Sequence, residues 1–382
     1  MNLYNEIPSQ VGKNRRDGIE RMDTDMKKLR TAIIGQGRSG RDIHGKFFKS
    51  DKNDLIEVVT VVEADADRRA RALEEYPGCT VCADYKELFG RSDIDLVVNA
   101  TYSDTHYSIT RDLLLHGFNV LVEKPFARNY YECSDLMKAA ADNNVTLAIF
   151  HQSLLAPHHL GVKEVLASGK LGDIKQISIR YNGLSRRWDW QTLQMKMGGS
   201  VYNTGPHPIG MALDYLGFDK HAKVVYSKLD TALTSGDAED YAKILITAPD
   251  KPLVDIEINS IDAYANYTVK IQGSKGTFSC TPASYRMKYI VDGENPERPV
   301  IVESLKDENG YPKYCGELLK THEEEGKYVG SAFDIACEDF YRMLYNKIVN
   351  GTPMQITPEM IAQVINVIEK VHADSPLPVK YQ

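Results

Sequence analysis

Thr31-Ala32-Ile33-Ile34-Gly35-Gln36-Gly37-Arg38-Ser39-Gly40 is the stretch on which the reading of this chain turns. A short β-branched run, the mark of a buried strand, passes straight into G-x-G-x-x-G, and the residues that follow carry a helical pattern. Each glycine of that motif has a mechanical use. The first permits a tight turn, the second lets backbone approach a pyrophosphate, and the third lets helix pack on strand. The helix N-terminus then offers unpaired N–H donors to the anion. Glu63 ends the next strand about 20 residues on, where a carboxylate accepts hydrogen bonds from a dinucleotide's ribose hydroxyls. Glu63 and Asp65 together repel a 2′-phosphate, so NAD is expected rather than NADP. Arg68 and Arg69, early on the following helix, argue the other way unless they are solvated surface arginines.

Outward from the motif, β-branched runs alternate with amphipathic stretches, as in a parallel sheet with crossover helices. Strands are expected at Arg30 to Gly35, Glu57 to Glu63, Ile94 to Ala100, Asn119 to Glu123 and Thr146 to Phe150, with a weaker one at Cys79 to Cys82. Helices are expected at Asp104 to His116 and Tyr131 to Asn143. After Phe150 the texture changes. A helix at Gly161 to Ser168 stops at Gly169, and alternating runs at Ile174 to Tyr181, Tyr241 to Ala248, Leu253 to Ser260 and Tyr267 to Gly273 suggest an open, largely antiparallel sheet. Two helices, Ser331 to Val349 and Pro358 to His372, close the chain around the turn Asn350-Gly351-Thr352-Pro353. The expected fold class is α/β: a Rossmann-type, doubly wound parallel sheet over 29–152, then an α+β domain with a large open, mostly antiparallel sheet over 153–382. The polar residues 1–28 read as an arm, disordered alone or ordered against a neighbouring subunit.

The bulk numbers agree with two domains, because single cores stop growing well short of 382 residues. A hydrophobic share of 42% with 26% charged residues is that of a soluble globular chain, and no apolar run approaches a membrane span. A net charge of -7 opposes nucleic acid and anionic membranes, which need a basic face. Nothing at the N-terminus reads as a signal sequence, so the cytoplasm is expected. Six cysteines are too sparse for a disulfide scaffold. Cys79 and Cys82 form one C-x-x-C without a second pair, and His158-His159 cannot both face one site on a helix, so no metal is expected.

Leu121-Val122-Glu123-Lys124-Pro125, together with the glycine loop, resembles the Gfo/Idh/MocA family, named for glucose-fructose oxidoreductase and inositol dehydrogenase. Asn99-Ala100-Thr101 through His106 resembles the family segment that passes under the cofactor. Gly198-Gly199-Ser200 with Asn203-Thr204-Gly205-Pro206-His207 resembles its G-G-G then D-x-G-x-H signature, and Ile271-Gln272-Gly273-Ser274-Lys275-Gly276-Thr277 its late strand turn. The resemblance covers nearly the whole chain from residue 30. It implies NAD held by Gly35, Gly37, Arg38, Ser39, Gly40, Glu63, Arg68, Ala100, Thr101, His106, Glu123 and Lys124, and a homo-oligomer paired through the open sheet, whose broad apolar face would otherwise meet water. Three positions depart from the pattern. Asn203 stands where the family has aspartate, Gly210 replaces another aspartate three residues after the histidine, and Gln152-Ser153-Leu154 replaces N-R-R, leaving Gln152 as the nicotinamide-side contact.

Lys124 and His207 remain as the intact catalytic pair. Oxidising an alcohol with NAD requires a group to take the hydroxyl proton, and a histidine with a pKa near 6.5 suits that role. Lys124 can donate to the same oxygen, and Asn203, one turn before His207, can orient substrate on the same helix face. Arg186-Arg187-Trp188-Asp189-Trp190 holds both tryptophans; rings and guanidinium forks suit sugars, so Arg187, Trp190 and Thr204 are candidate substrate contacts and Trp188 a nicotinamide contact. The alternative is that the tryptophans are core. Tyr264 and Tyr267 are weaker candidates, since strands carry tyrosine routinely. The expected activity is NAD-dependent oxidation of a ring secondary alcohol of a sugar, glycoside or cyclitol, with the 3-hydroxyl of a glucose-type ring or glucoside preferred. The rivals are an inositol dehydrogenase, an NAD-recycling glycosidase and a non-catalytic NAD-binding sensor.

Overall fold

The computed structural model describes residues 27–381; the arm expected over residues 1–28 falls, but for its last two, outside the described residues. Six strands form a parallel sheet: β1 (Leu29–Ile34), β2 (Ile56–Val62), β3 (Thr80–Cys82), β4 (Leu96–Asn99), β5 (Val120–Val122) and β6 (Leu147–Ile149). Their spatial order is β3-β2-β1-β4-β5-β6, so the chain reverses direction across the sheet between β1 and β4, where open α/β sheets bind ligands. All six expected strands are present: β1 and β2 lie one residue earlier than expected, and β3 to β6 are shorter by one to three residues. Both faces of the sheet are covered: Ala32, Ile33, Leu96, Val97, Val98, Val120, Leu121 and Val122 have no measurable exposure. Near-continuous β-branched runs are what such double burial asks for.

Eight strands form the second sheet: β7 (Ile174–Asn182), β8 (Lys223–Asp230), β9 (Tyr241–Thr247), β10 (Leu253–Asn259), β11 (Val269–Gly273), β12 (Gly276–Cys280), β13 (Ser284–Tyr289) and β16 (His322–Lys327). A ribbon of β14 (Leu305–Lys306) and β15 (Pro312–Lys313) lies outside it. The order is β16-β13-β12-β11-β7-β10-β9-β8, with β7 and β10 parallel and every other pair antiparallel. Ile177, Ile179, Ile244, Val254, Ile256 and Val269 turn to one face and are buried. Helix α7 (Pro206–Tyr215) packs against β7 and β10, and α9 (Pro358–Asp374) against β8 and α7.

The opposite face corrects one expectation: it is polar, not apolar. Arg180 forks onto Asp255 at 2.7 and 3.2 Å, and Lys243 reaches Asp255 at 2.6 Å and Glu257 at 3.3 Å. Burial alone would raise the Asp255 carboxyl, yet the two cations hold it below its ordinary value. Helix α8 (Ala332–Asn350), capped by Ser331, crosses back to pack on α1 (Gly45–Phe48) and on the turn Gln152–Leu155, burying Phe340 and Tyr341 against Phe150. The C-terminal part of the chain thus braces the floor of the first sheet's crevice. Helix α5 (Pro157–Ser168) begins earlier than expected because Pro157 occupies its first turn, where a missing N–H costs nothing.

Candidate functional site

At the end of β1 the glycines do what the motif promised. Gly35 has φ +94, and a Cβ there would sit 2.6 Å from the carbonyl oxygen of Ala100 across the crevice. A Cβ at Gly40 would overlap the Gly35 carbonyl, so the third glycine is what lets the following turn lie on the strand. A Cβ at Gly37 would meet nothing; it would instead fill the cradle over the turn through which a pyrophosphate passes. Arg38–His44 is wound as a π-helical turn, with Gly45 N donating to Gly40 O, and exposed Arg38 and half-buried Ser39 open it. Glu63 follows β2 with Oε2 accepting from Gln36 N at 2.7 Å and Oε1 from Asp65 N at 3.1 Å. These bonds aim the carboxylate over the first glycine turn and leave a lone pair on each oxygen for ribose hydroxyls. Arg68 stands 3.6 Å from Glu63, while Arg69 is committed to the carbonyls of Glu63 and Ala64 at 2.6 and 2.8 Å.

The far side of the crevice is built by β4, β5 and β6. Asn99 accepts from the Thr101 hydroxyl at 2.7 Å and shapes the Ala100-Thr101 turn. His106 is buried, with Nδ1 2.8 Å from Pro125 O and Nε2 3.3 Å from Thr101 O. Burial lowers its pKa, so the neutral ring donates to Pro125 O and ties the turns at Thr101 and Pro125 together. Gln152 is buried with Oε1 unpartnered, an orphan acceptor of the kind a carboxamide N–H satisfies. The glycine cradle, the aimed carboxylate and this orphan oxygen all fit a dinucleotide.

Glu123 is buried, and its Oε2 accepts from Lys124 N at 3.0 Å. Its Oε1 lies 3.1 Å from His44 Nε2, off the line of a hydrogen bond, and His44 Nδ1 meets the Tyr341 hydroxyl at 2.6 Å. Burial pushes the Glu123 carboxyl up, but the His44 ring and Lys124 pull it below its ordinary value, so it stays ionised. Lys124 Nζ donates to the carbonyl oxygen of Asn203 at 2.9 Å. Burial, with the charges of Arg38 and Arg187, lowers the lysine's pKa against the opposing pull of Glu123.

Asn203 and His207 do not share a helix face, which corrects the spacing argument. Helix α6 (Ser200–Asn203) ends at Asn203, the chain breaks at Thr204-Gly205, and His207 is the second residue of α7. The Asn203 amide pairs with Gln191, at 3.3 and 3.4 Å, so its contribution to Lys124 comes through its backbone carbonyl. His207 Nδ1 lies 3.0 Å from Ser153 Oγ, and its ring centroid is 5.6 Å from that of His151. Burial first, then the charge of Lys124, hold the His207 pKa well below 6.5, another departure from the ordinary value expected. The imidazole is neutral at pH 7. For Nε2 to be the free base, Nδ1 must carry the proton and donate to Ser153.

A cavity of about 640 Å³ has Asn203, the partner of Lys124, in its wall, while Lys124 and His207 themselves do not line it. Arg187, Asn203 and Thr204, singled out from the sequence, line it together with Gln191. Trp190 does not: its ring packs edge-on against Tyr102 at 5.0 Å, and Trp188 is 74% exposed. The glycine pair 198–199 serves the backbone, not a ligand, since a Cβ at Gly198 would sit 2.5 Å from Gln191 O and one at Gly199 would overlap the buried Glu239 carboxylate. Sequence reasoning assigned no role to His44, His151, Ser153 or Gln191, although His151 and Ser153 flank Gln152 and Gln191 follows Trp190. Among the described residues no group of His, Cys, Asp or Glu is placed to hold a metal ion, and no helix is long and apolar enough to cross a membrane.

Residues 29–151 match the oxidoreductase family with an NAD-binding Rossmann fold, and residues 159–279 match the GFO/IDH/MocA C-terminal domain. The chain belongs to this family. It is an NAD-binding oxidoreductase. Over 360 residues it is 22% identical to the scyllo-inositol 2-dehydrogenase (NADP(+)) IolW of Bacillus subtilis, covering 92% of this chain and 94% of that protein. It is 23% identical to the 2,7-anhydro-N-acetylneuraminate hydratase of Mediterraneibacter gnavus, over 74% of this chain and 75% of that one. The crystal structure of GenD2 from gentamicin A biosynthesis, in complex with NAD, superposes with a TM-score of 0.72 at 19% identity, covering 95% of this chain and 99% of that chain.

Proposed function

We propose that this oxidoreductase uses NAD to oxidise a ring secondary alcohol of a sugar or glycoside, with the 3-hydroxyl of a glucose-type ring or glucoside as its target. The observation that supports this reading is the bond of Lys124 to the Asn203 carbonyl and the pairing of His207 with Ser153, next to a 640 Å³ cavity whose wall includes Asn203 and Thr204. Bound NAD would supply the acceptor for hydride from the alcohol carbon. His207 Nε2 accepts the hydroxyl proton, with Ser153 holding the tautomer. Lys124 spends one N–H on Asn203 and keeps two to steady the developing alkoxide. NAD is preferred over NADP, because Glu63 faces the position a 2′-phosphate would take and Arg69 is already engaged.

In this reading residues 29–152 hold the cofactor, 153–382 hold substrate and subunit contacts, and the six free cysteines suit the cytoplasm. A homo-oligomer accounts for Val300, Val302, Tyr314 and Leu318, each at least 88% exposed around the β14–β15 ribbon. Supplying NAD with inositols, free sugars and glucosides while following NADH absorbance tests the activity. Turnover of a sugar or glucoside, lowered roughly 10²-fold or more by Lys124→Ala and by His207→Ala, is expected. Silence across all three classes, or normal turnover in either variant, defeats it. The IolW likeness favours a second reading, oxidation of a cyclitol, and the same assay separates the two.

A further inference from the structure

The cavity is roomier than a single pyranose or cyclitol ring requires. Its 640 Å³ lies in the range, about 300–1,000 Å³, of pockets that hold drug-sized ligands. One end is the wall of Arg187, Gln191, Asn203 and Thr204 already described. The other lies over the ends of β7, β11 and β12, where Tyr267, Thr268, Thr281 and Pro282 meet the start of α5. The two ends are joined through Asn182 and Asn259, whose side chains both bond to Glu257.

His158 lines this far end. It is 5% exposed, yet neither ring nitrogen has a hydrogen-bond partner. A buried imidazole left in that state costs stability, and in the wall of a cavity it is an unspent donor on one ring edge and an unspent acceptor on the other. Burial keeps it neutral, so one ring nitrogen can donate to a sugar oxygen and the other can accept from a sugar hydroxyl. The half-buried Tyr267 ring adds a surface for the apolar face of a sugar. Charge narrows the choice further. Arg180 is neutralised by Asp255 and Arg187 by Asp189, and of the lining acids Glu239 pairs with His372 while Asp240 accepts from the N–H groups of Ala232, Leu233 and Thr234. No unpaired cation stands among the described lining residues to receive a phosphate or carboxylate, so an anionic second group is disfavoured.

We infer that the far end of the cavity is a second sugar subsite, with His158 and Tyr267 holding the non-reacting unit of a neutral disaccharide whose other ring lies against the Asn203-Thr204 wall, where Asn203 carries the bond to Lys124. This rests on the dehydrogenase reading above and narrows its substrate from sugars in general to disaccharides. Initial rates of NADH formation are compared for neutral glucose-containing disaccharides, the free monosaccharide and the monosaccharide phosphate. The expected kcat/KM for the best disaccharide is about tenfold or more above the monosaccharide, the scale of one or two added contacts, with the phosphate poorer than either.

His158→Phe keeps the ring's bulk and removes both polar atoms, and Tyr267→Ala, at a half-buried loop position before β11, removes the stacking surface. Each is expected to lower the ratio of disaccharide to monosaccharide kcat/KM about tenfold, and either variant suffices if the other fails to fold. Equal kcat/KM for the two sugars, or variants that lower both alike, overturn the subsite. Saturable disaccharide binding to the NAD-loaded protein, followed by calorimetry, separates the two proposals if no substrate turns over. Binding that His158→Phe weakens keeps the subsite and removes the dehydrogenase reading, and no binding removes both.

Discussion

Lowering the pH should destabilise this protein before its surface carboxylates protonate, because several histidines are buried neutral. His151 has no measurable exposure and is pushed down to about 3, mainly by burial and by the charge of Lys124; His158, 5% exposed, is pushed down to about 4 by burial and by His159. Unfolded, each titrates near 6.5. Both folded values are depressed, so between them and 6.5 the unfolded chain binds more protons, and stability falls as pH falls. At pH 5 the unfolded ring lies about 1.5 pH units below its pKa while the folded ring is still neutral, so each histidine costs about 2 kcal/mol. His372 opposes the trend. Burial lowers its pKa but Glu239, 3.5 Å away, raises it further, so its pairing stabilises below pH 6.5 and is lost as pH rises through the elevated value. The assay is urea unfolding by far-UV circular dichroism at pH 7 and pH 5, for the natural protein and His158→Phe. The variant should be at least as stable at pH 7, since it removes a buried unsatisfied group, and should lose about 2 kcal/mol less on acidification. Parallel losses in the two proteins would refute the buried neutral imidazole.

Gly37→Val should leave the melting temperature nearly unchanged while weakening NAD binding by at least tenfold in titration calorimetry, because its side chain enters open space over the pyrophosphate turn; Gly40→Ala, which drives a Cβ into the Gly35 carbonyl, should lose stability as well. Glu63→Ala should narrow or invert the NAD to NADP affinity ratio, and an unchanged ratio would disconnect that carboxylate from the ribose. Tyr341→Phe removes the 2.6 Å partner of His44 in a fully buried position and should cost about 1–3 kcal/mol by denaturant unfolding.

The first sheet was legible because double burial forces β-branched runs and the motif glycines have no substitutes at Gly35 and Gly40. In the second sheet, legibility stops where pairing, not propensity, makes the strand. His322–Lys327 reads His-Glu-Glu-Glu-Gly-Lys, a poor strand by composition, yet it forms the edge, with Glu323 opposite Lys288 and Glu324 held by Lys170 and Tyr289. Charge on an edge strand also blocks stray pairing. The parallel β7–β10 pair is a product of topology that no local pattern encodes. At the site, Lys124, His207 and Glu63 stood out by motif. Their supports did not: Ser153, His151 and His44 are brought to the crevice from other segments, and no spacing relates them to the groups they touch. The broken helix at Thr204-Gly205 likewise escapes a periodicity argument, since four-residue spacing says nothing of a break inside it.

The bond from Lys124 Nζ to Asn203 O joins a turn of the first sheet to the end of α6. An ammonium donates three N–H groups, so the lysine need not leave this carbonyl to reach a substrate oxygen, and the carbonyl fixes where the remaining donors point. A backbone acceptor cannot be deleted by changing Asn203, which separates two roles for that residue. If the amide orients substrate, Asn203→Ala should lower kcat/KM severalfold or more; if only the carbonyl matters, the variant should keep kcat and change little beyond the pairing with Gln191. The amide is already committed to Gln191 over the wall of the cavity, so the second outcome is expected. A large fall in kcat for Asn203→Ala with an intact fold would mean that the amide leaves Gln191 when substrate arrives.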